Sequence, residues 1–317
     1  MRLSRRDDSL SARVRARRPL FYADGADPTL DRPAYVRAGS SLARFDGKLA
    51  IVQDDASFVA LLEPDGAVRA VPLPAGPGGA RVFDDSRGNK KQKMDLEACV
   101  AVGDELWAFG SGSAAGRDLI VRLAREGYAV SVSRATAFYE ALRARGEFAG
   151  SELNVEGALV VGTELWLFNR GNGAPTPSCP AVDAIARIDL AALGAHLTHA
   201  APVPALLGIE AFDLGAVDGY RLTFTDATVT PAGVLYLAAA EASPDATQDG
   251  PVAGVALGML GDDLRYTILL DERGAPLLDK LEGLAAGDEE GLIYAVADKD
   301  DPNVPCELLE IVLSAQR

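Results

Sequence analysis

The sequence predicts an all-β fold, a five-bladed β-propeller with four-stranded blades. One pattern recurs along the chain: a small or acidic residue, four or five apolar residues, a tight turn, and a second apolar strand that ends in polar residues. Strand repeats about 56 to 70 residues long are typical of propellers. The five copies begin at Ser40-Ser41-Leu42, Leu96-Glu97-Ala98, Val155-Glu156-Gly157, Thr225-Asp226-Ala227 and Leu281-Glu282-Gly283.

The spacing within the copies supports a common register. In four copies the lead residue stands ten positions before a bulky residue of the second strand, and in the fifth the interval is twelve. The pairs are Ser41/Ile51, Glu97/Trp107, Glu156/Trp166, Asp226/Tyr236 and Glu282/Tyr294. We expect these bulky residues to pack between blades.

The repeats divide a single domain, residues 1–317, into blades at about 40–74, 96–134, 155–204, 225–271 and 281–314. The last blade is one strand short, and an open blade would expose unpaired backbone groups. We therefore expect a strand at 12–22 to complete it. A sixth blade within the long interval from Glu156 to Asp226 is the alternative. Only Thr136 to Arg145 and Asp189 to His196 have helical periodicity.

Composition excludes several classes of function. The formal charge of −15 makes nucleic acids and anionic membranes poor partners. Three scattered cysteines and two histidines give neither a disulfide framework nor a zinc site. The arginine-rich stretch from Arg2 to Arg18 contains acidic residues and precedes no apolar segment, so we expect no targeting sequence and a cytoplasmic protein. We expect Met1 to Asp8 to pack against nothing.

The direction of the strands predicts where a site lies. If the lead residue begins the innermost strand, the second strand returns and ends at the same face of the propeller. The connections at this face are long and rich in Gly, Pro and Asp, whereas those at the opposite face are short turns such as Asp46-Gly47. The long connections are Gly110 to Asp118, Asn169 to Asp183, Glu241 to Pro251 and Asp298 to Pro305. Long loops on one side of a rigid scaffold usually carry function.

The lead residues should surround one mouth of a narrow channel. Converging carboxylates repel one another, so they must take up protons, pair with cations or bind a metal. Calcium suits such a ring of oxygen ligands. The candidate catalytic residues are Glu97, Glu156, Asp226 and Glu282, and the candidate metal ligands are Glu97, Glu156 and Glu282. The structural alternative is that each carboxylate caps backbone N–H groups of its own blade.

Polar residues follow the second strands at the same face. Asn169-Arg170-Gly171-Asn172 is the most specific group, because an arginine there can grip an anionic ligand with two hydrogen bonds. The competing role for Arg170 is to neutralise nearby glutamates. The candidate ligand-binding residues are Arg170, Asn169, Asn172, Glu241 and Asp298. The lysines at positions 90, 91 and 93 indicate a solvated loop. The alternative is that these lysines lie over the acidic mouth.

The Glu-Gly repeats resemble those of bacterial propellers grouped as phytase-like esterases, SdiA-regulated proteins and related uncharacterised families. Together with Asn169-Arg170-Gly171-Asn172, Phe224-Thr225-Asp226-Ala227, Ala238 to Glu241 and Asp249 to Gly254, they resemble one uncharacterised family over most of the chain. The resemblance implies calcium in or near the channel and, in some members, phosphoester hydrolysis. Ser41 departs from the pattern where an acid is expected, and so does Ala98 where glycine is expected.

The leading hypothesis is a propeller that binds a small polar or anionic ligand at the acidic mouth and acts there as a calcium-dependent phosphoesterase or lactonase-like hydrolase. In this hypothesis the three glutamates hold the metal or act as bases, Asp226 orients water, and Arg170 holds the anionic part of the substrate. A non-catalytic interaction scaffold is the alternative. A glycosidase is a second alternative, because paired carboxylates suffice for that chemistry.

Overall fold

The computed structural model describes residues 1–199, 201–242 and 250–315, and it is all-β. The predicted loop from Glu241 to Pro251 and the motif beginning at Asp249 fall partly outside these residues. Three strands come first: β1 (Arg2–Leu3), β2 (Arg5–Arg6) and β3 (Leu10–Pro19). The rest of the chain forms successive antiparallel sheets in which consecutive strands are neighbours.

The first two sheets contain four strands each. The first has β4 (Gly39–Phe45), β5 (Lys48–Gln53), β6 (Phe58–Leu62) and β7 (Val68–Pro72). The second has β8 (Leu96–Val102), β9 (Glu105–Gly110), β10 (Leu119–Ala124) and β11 (Val130–Arg134). Asp46 and Gly47, which join β4 to β5, have φ values of 51° and 70°, the left-handed conformation of a two-residue hairpin turn.

The third sheet fills the interval in which a sixth blade was the alternative. It has β12 (Val155–Val161), β13 (Glu164–Asn169), β14 (Asp183–Asp189) and β15 (Leu206–Asp213). Helices α1 (Thr136–Arg143) and α2 (Gly146–Ala149) precede it, and α3 (Leu190–His199) joins β14 to β15. The outer strand therefore begins at Leu206, after the predicted blade end at 204, because the helix lengthens the connection.

The fourth sheet has β16 (Ala216–Val217), β17 (Tyr220–Thr230), β18 (Gly233–Glu241), β19 (Val252–Leu260) and β20 (Arg265–Leu270). The fifth has β21 (Lys280–Ala286), β22 (Leu292–Asp298) and β23 (Glu307–Ala315). The short 3₁₀ helices Pro28–Leu30, Pro77–Gly79 and Lys90–Gln92 lie in loops.

The N-terminal strands pair with the last two sheets and with the third. β3 runs antiparallel to β23, with Ala12 opposite Leu313 and Arg18 opposite Leu308. It also pairs parallel to β20 over two residues. β1 pairs with β15 and β2 with β20, so the expectation that Met1 to Asp8 pack against nothing is wrong. The paired strand is Leu10–Pro19, a little before the predicted 12–22.

The innermost strands give the fold its propeller-like form. β4, β8, β12, β17 and β21 contact one another in that order, and β21 contacts β4 in turn. Apolar side chains fill the spaces between adjacent sheets, where Trp107 is buried with Val155 and Leu165, and Tyr236 with Phe168 and Phe224. No helix in the described ranges is long and apolar enough to cross a membrane.

Candidate functional site

Each innermost strand has a β-bulge, near its first residues in four sheets and in the middle of β17, and the bulge sets which side chain faces the channel. The register between the first two strands shifts at Leu96/Ala98, Val155/Gly157 and Leu281/Gly283, which makes Glu97, Glu156 and Glu282 the extra residues. In the first and fourth sheets the shifts are at Gly39/Ser41 and Phe224/Asp226. The extra residues there are Ser40 and Thr225.

The predicted alignment of Ser41 and Asp226 with the three glutamates is therefore wrong by one position. These two residues correspond to Ala98, Gly157 and Gly283, which follow the bulges. Close approach of neighbouring strands explains the glycine in the fifth sheet, because a Cβ at Gly283 would lie 2.8 Å from the backbone nitrogen of Leu42. Counting back from the turn that follows each innermost strand finds the equivalent positions, because the interval has the same length in four sheets. These intervals are Ser40 to Asp46, Glu97 to Gly103, Glu156 to Gly162 and Thr225 to Pro231.

The three glutamates line one cavity of about 200 Å³ at the start of the innermost strands, a volume too small for more than a small ligand. Seven carboxylates and five basic side chains surround this cavity, and no aromatic residue among those described lines it. Of the other candidates, Asn172, Arg170 and Asp298 also line it. The acidic mouth predicted from the sequence is thus a chamber of mixed charge, which we call the inner cavity.

Arg170 joins three glutamates from different sheets. Its Nη2 donates to Glu241 Oε1 at 2.5 Å, and its Nη1 lies 3.4 Å from Glu156 Oε2 and 3.9 Å from Glu282 Oε1. Its Nε donates to Thr223 Oγ1 at 3.2 Å. Only 4% of Arg170 is exposed, but the carboxylates outweigh the cost of burial and raise its pKa well above the usual range. Arg170 is therefore a buried, permanently charged counter-ion.

Glu156 is held by an asparagine that the sequence did not single out. Asn154 Nδ2 donates to Glu156 Oε1 at 2.7 Å and to Asn172 Oδ1 at 3.3 Å. Burial raises the pKa of Glu156, and the charge of Arg170 opposes that rise. The motif Asn154-Val155-Glu156 contained the signal, since a side-chain amide two residues before a strand carboxylate lies on the same face.

Asn169 does not face the inner cavity. Its Oδ1 accepts from the backbone N–H of Asn154 at 2.8 Å, and its Nδ2 donates to the carbonyl of Val182 at 2.9 Å. These bonds hold the loop that presents Asn154. Glu241 likewise reaches the site only through Arg170.

Glu282 keeps one oxygen without a hydrogen bond. Lys280 Nζ and Arg170 Nη1 lie 3.7 and 3.9 Å from Oε1, beyond hydrogen-bonding distance, although the residue is only 5% exposed. Burial raises the pKa of Glu282 well above its usual range, and the charge of Glu156 adds to the rise. Lys280 also pairs with Asp300 at 3.0 Å and lies 4.0 Å from Asp298.

A second group of acids in the inner cavity surrounds Lys93. Carboxylate oxygens of Asp54, Asp95 and Glu97 lie within 4.8 Å of one another. Lys93 Nζ forms a short ion pair with Asp54 and lies 2.7 Å from Asp95 Oδ1, while Arg117 contacts Asp95 at 2.9 Å. The solvated-loop interpretation is therefore wrong for Lys93, whose side chain is 9% exposed.

Burial is the largest cause that raises the pKa of Glu97 well above its usual range, followed by the charges of Asp95 and Asp54. In the described part of the chain, no residue donates a hydrogen bond to Glu97.

The acidic trio does not fit a calcium ion as it stands. Its hard oxygen atoms are of the type that calcium prefers. The ammonium of Lys93, however, already contacts two of the three carboxylates, and a divalent ion between them would be repelled by it. Calcium therefore stays a prediction, and it requires Lys93 to move away.

Asp226 lies deeper, outside the lining of the inner cavity. Its carboxylate accepts from the backbone N–H of Ala227 and of Leu284, each at 2.8 Å, and from Ser41 Oγ at 3.2 Å. Ser41 Oγ in turn accepts from the N–H of Cys99 at 3.0 Å. We call Asp226 and Ser41 the channel plug, because they connect four innermost strands.

A cavity on the far side of the channel plug is different in character. It also has a volume of about 200 Å³, and it is lined mainly by apolar residues from all five innermost strands. It shares no lining residue with the inner cavity. Of the two cavities, the one lined mainly by charged side chains lies at the end with the long loops.

The fold and the site together define an all-β, propeller-like protein with a mixed-charge cavity at the loop-rich end of its channel. A protein-family model described as "Family of unknown function (DUF6929)" matches residues 35–313 of the sequence, so the chain belongs to this family. The predicted membership of an uncharacterised family is thereby confirmed. Kinship with phytase-like esterases and SdiA-regulated proteins stays a prediction. No curated protein matches the chain in sequence.

Several solved structures are similar in shape. Glutaminyl cyclase from Myxococcus xanthus has a TM-score of 0.47 and 12% identity, covering 96% of this chain and 97% of its own. A protein of unknown function from Bacteroides thetaiotaomicron has a TM-score of 0.48 and 10% identity, covering 96% and 76%. Virginiamycin B lyase from Staphylococcus aureus has a TM-score of 0.40 and 11% identity, covering 96% and 99%. Similarity at this level says nothing about the reaction of this chain.

Proposed function

We propose that this protein is a five-bladed β-propeller whose fifth blade is completed by β3, and that its inner cavity binds a small polar ligand carrying positive charge. The cyclic contacts of the innermost strands and the pairing of β3 with β23 support the architecture. The unmet hydrogen-bonding capacity of the inner cavity supports the choice of ligand.

That unmet capacity is the observation on which the proposal depends. Among the described side chains of the inner cavity, the buried atoms without a hydrogen-bond partner are Glu282 Oε1 and Asp54 Oδ1, both carboxylate oxygens. A buried acceptor without a partner costs about 1–3 kcal/mol. A ligand that donates hydrogen bonds or carries positive charge relieves this cost, whereas an anion adds to it.

The basic side chains around the inner cavity are already paired. Lys93 contacts Asp54 and Asp95, Arg117 contacts Asp95, and Arg170 contacts glutamates. An anionic ligand would have to separate these pairs, and separating a buried pair is costly. This supports the counter-ion role of Arg170 over the anion-binding role.

Binding of a small ammonium compound tests the proposal. We expect propylammonium to raise the melting temperature of the protein and of a control, Glu126→Gln, whose exposed glutamate lies outside both cavities. Glu282→Gln should melt at a normal temperature without responding to the ligand. Stabilisation by phosphate or carboxylates, a larger effect of calcium than of any amine, or no effect of any ligand would each overturn the proposal, the last in favour of a scaffold.

Hydrolysis is a second candidate function, and Glu97 favours it. Its raised pKa and its position in the inner cavity suit a carboxylic acid that gives a proton to a leaving group. Assays with chromogenic phosphoesters, lactones and glycosides should detect turnover that Glu97→Gln abolishes. The absence of aromatic residues from the described lining makes a sugar substrate the weakest of the three.

The architecture has its own test. Deleting residues 1–24 removes β3 and leaves β23 with an unpaired apolar edge, so we expect insolubility or a large fall in melting temperature. Deleting residues 1–8 removes only β1 and β2 and should cause a smaller fall. A soluble protein with unchanged melting after the longer deletion would refute the closure.

A further inference from the structure

The inner cavity continues outward into a second cavity on the same face. The second cavity has a volume of about 300 Å³, and six residues line both: Ala38, Asp54, Lys90, Lys93, Lys280 and Asp298. Asp55, Phe83 and Asp301 lie only in the outer part. The two cavities therefore form one elongated cleft, which we call the acidic cleft.

Acidic groups exceed basic ones along the whole acidic cleft. Twelve carboxylates and six basic side chains line its two parts. In the outer part Arg37 pairs with Asp55 through Oδ2 alone, and Lys90 pairs with Asp85 at 3.1 Å. The formal charge of the lining is thus negative even when every basic residue is counted.

Orphan carboxylate oxygens occur at successive points of the acidic cleft. The residues that carry these oxygens line successive parts of it: Glu282 the inner part, Asp54 the shared part and Asp55 the outer part. All three atoms are buried without a hydrogen-bond partner, and Glu282 as a whole is only 5% exposed. Separated acceptors along one cleft indicate a ligand with more than one positively charged donor.

We propose that the acidic cleft binds a linear organic diamine, with one ammonium group beside Glu282 and Glu97 and a second beside Asp55. This inference rests on the proposed binding of a positively charged ligand in the inner cavity. Each ammonium supplies three donors, and Glu282 and Asp55 each carry one carboxylate oxygen without a hydrogen-bond partner. Ala38, which lines both parts of the cleft, offers an apolar contact to the methylene segment between the charges.

A single metal ion could contact only one of the three orphan oxygens. The three orphan oxygens belong to different parts of the acidic cleft, whereas a metal gathers its ligands within about 2.3 to 2.6 Å. Lysines 90, 93 and 280 occupy the shared part, so the ligand must pass them with an uncharged stem. A flexible chain with charges only at its ends meets that requirement.

A chain-length series tests the proposal by calorimetry on the full-length protein. Propylammonium and diamines with three to six methylene groups are titrated at constant ionic strength. We expect affinity to rise about tenfold or more from the monoamine to the best diamine, because the second ammonium gains its own charge-assisted hydrogen bonds. Asp55→Asn should lower the diamine affinity to that of the monoamine, whereas Glu282→Gln should abolish binding of both the monoamine and the diamine. The control Asp262→Asn changes an exposed acid that lines neither part of the cleft.

The outcomes separate this inference from the proposed function. Monoamine binding without any gain for diamines overturns the inference and leaves the proposed function standing, and no binding of either ligand overturns both. A diamine gain that persists in Asp55→Asn and disappears at high salt reflects non-specific attraction and also overturns the inference. Should Asp55→Asn fail to fold because Arg37 loses its partner, Asp301→Asn on the outer rim should still reduce the diamine gain two- to threefold.

Discussion

Asp226 and Glu282 are both carboxylates on innermost strands, and both are almost fully buried, at 1% and 5% exposure. Their surroundings differ. Asp226 accepts two backbone N–H groups and a hydroxyl, whereas Glu282 keeps an oxygen with no donor. Burial and residue type alone would assign the same role to both carboxylates. The difference in hydrogen bonding assigns Asp226 to holding the strands together and makes Glu282 available to a ligand.

Removing the partner of Glu156 should have the largest effect on stability. Arg170→Ala leaves Glu156 and Glu241 buried without their counter-ion, so we expect the free energy of unfolding to fall by about 3–5 kcal/mol at pH 7. The loss should be smaller at pH 5, because burial raises the pKa of Glu156 and a protonated Glu156 no longer needs its counter-ion. Urea denaturation at both pH values measures this, with Arg134→Ala, an exposed arginine, as control. An undiminished stability would mean that the pairs contribute nothing.

Disrupting the channel plug should have the next largest effect. Asp226→Ala removes the acceptor of two buried N–H groups, each of which costs about 1–3 kcal/mol when unsatisfied. We expect a stability loss of about 2–4 kcal/mol, and Asp226→Asn should be intermediate, because its NH₂ group faces donors. Ligand affinity per folded molecule should change little. If Asp226→Asn instead abolishes binding at normal stability, Asp226 belongs to the binding site and the comparison fails.

Glu282→Gln should have the opposite effects to the Asp226 substitutions: stability is kept and ligand binding is lost. The amide removes a charge that burial disfavours, so unfolding free energy should stay within about 0.5 kcal/mol of the original or rise. Binding of ammonium ligands should nevertheless be lost. Parallel denaturation and calorimetry of this variant and of Asp226→Asn give the contrast directly. Loss of stability without loss of binding would mean that Glu282 stabilises the fold and does not contact the ligand.

The smallest effect concerns pH. Burial raises the pKa of Asp298 to about 7, with Lys280 opposing the rise and Asp54 and Asp300 adding to it. Ammonium binding should therefore strengthen about two- to threefold between pH 6 and 8, as Asp298 becomes charged. Because the folded pKa exceeds the unfolded one, the free protein should lose stability as pH rises from about 4 to 7. Asp298→Asn should flatten both profiles, and a binding profile that falls with pH would contradict the assignment.

The periodic parts of the molecule could be predicted from the sequence. Apolar runs and the Asp46-Gly47 turn predict β4 and β5, and the helical periodicity after Thr136 predicts α1. The bulges could not be read from strand patterns, since an extra residue leaves the apolar run intact. Asp226 was therefore aligned with glutamates that face another environment.

Partners that come from distant loops were also beyond prediction. Lys93 reaches Asp54 from a loop, and Asn154 holds Glu156 only because Asn169 fixes its backbone. Such contacts depend on where the folded sheets bring loops, which sequence spacing does not encode. Of the candidate residues, Glu97, Glu156, Glu282, Arg170, Asn172 and Asp298 were brought together around the inner cavity, whereas Asn169, Glu241 and Asp226 do not line it.

The channel plug has a consequence for kinetics. Asp226 and Ser41 separate the inner cavity from the apolar cavity beyond it, and the two share no lining residue. Anything that enters between the long loops must leave by the same route. Entry and departure therefore share the loop-rich face, so the residence time in the acidic cleft limits the rate of exchange.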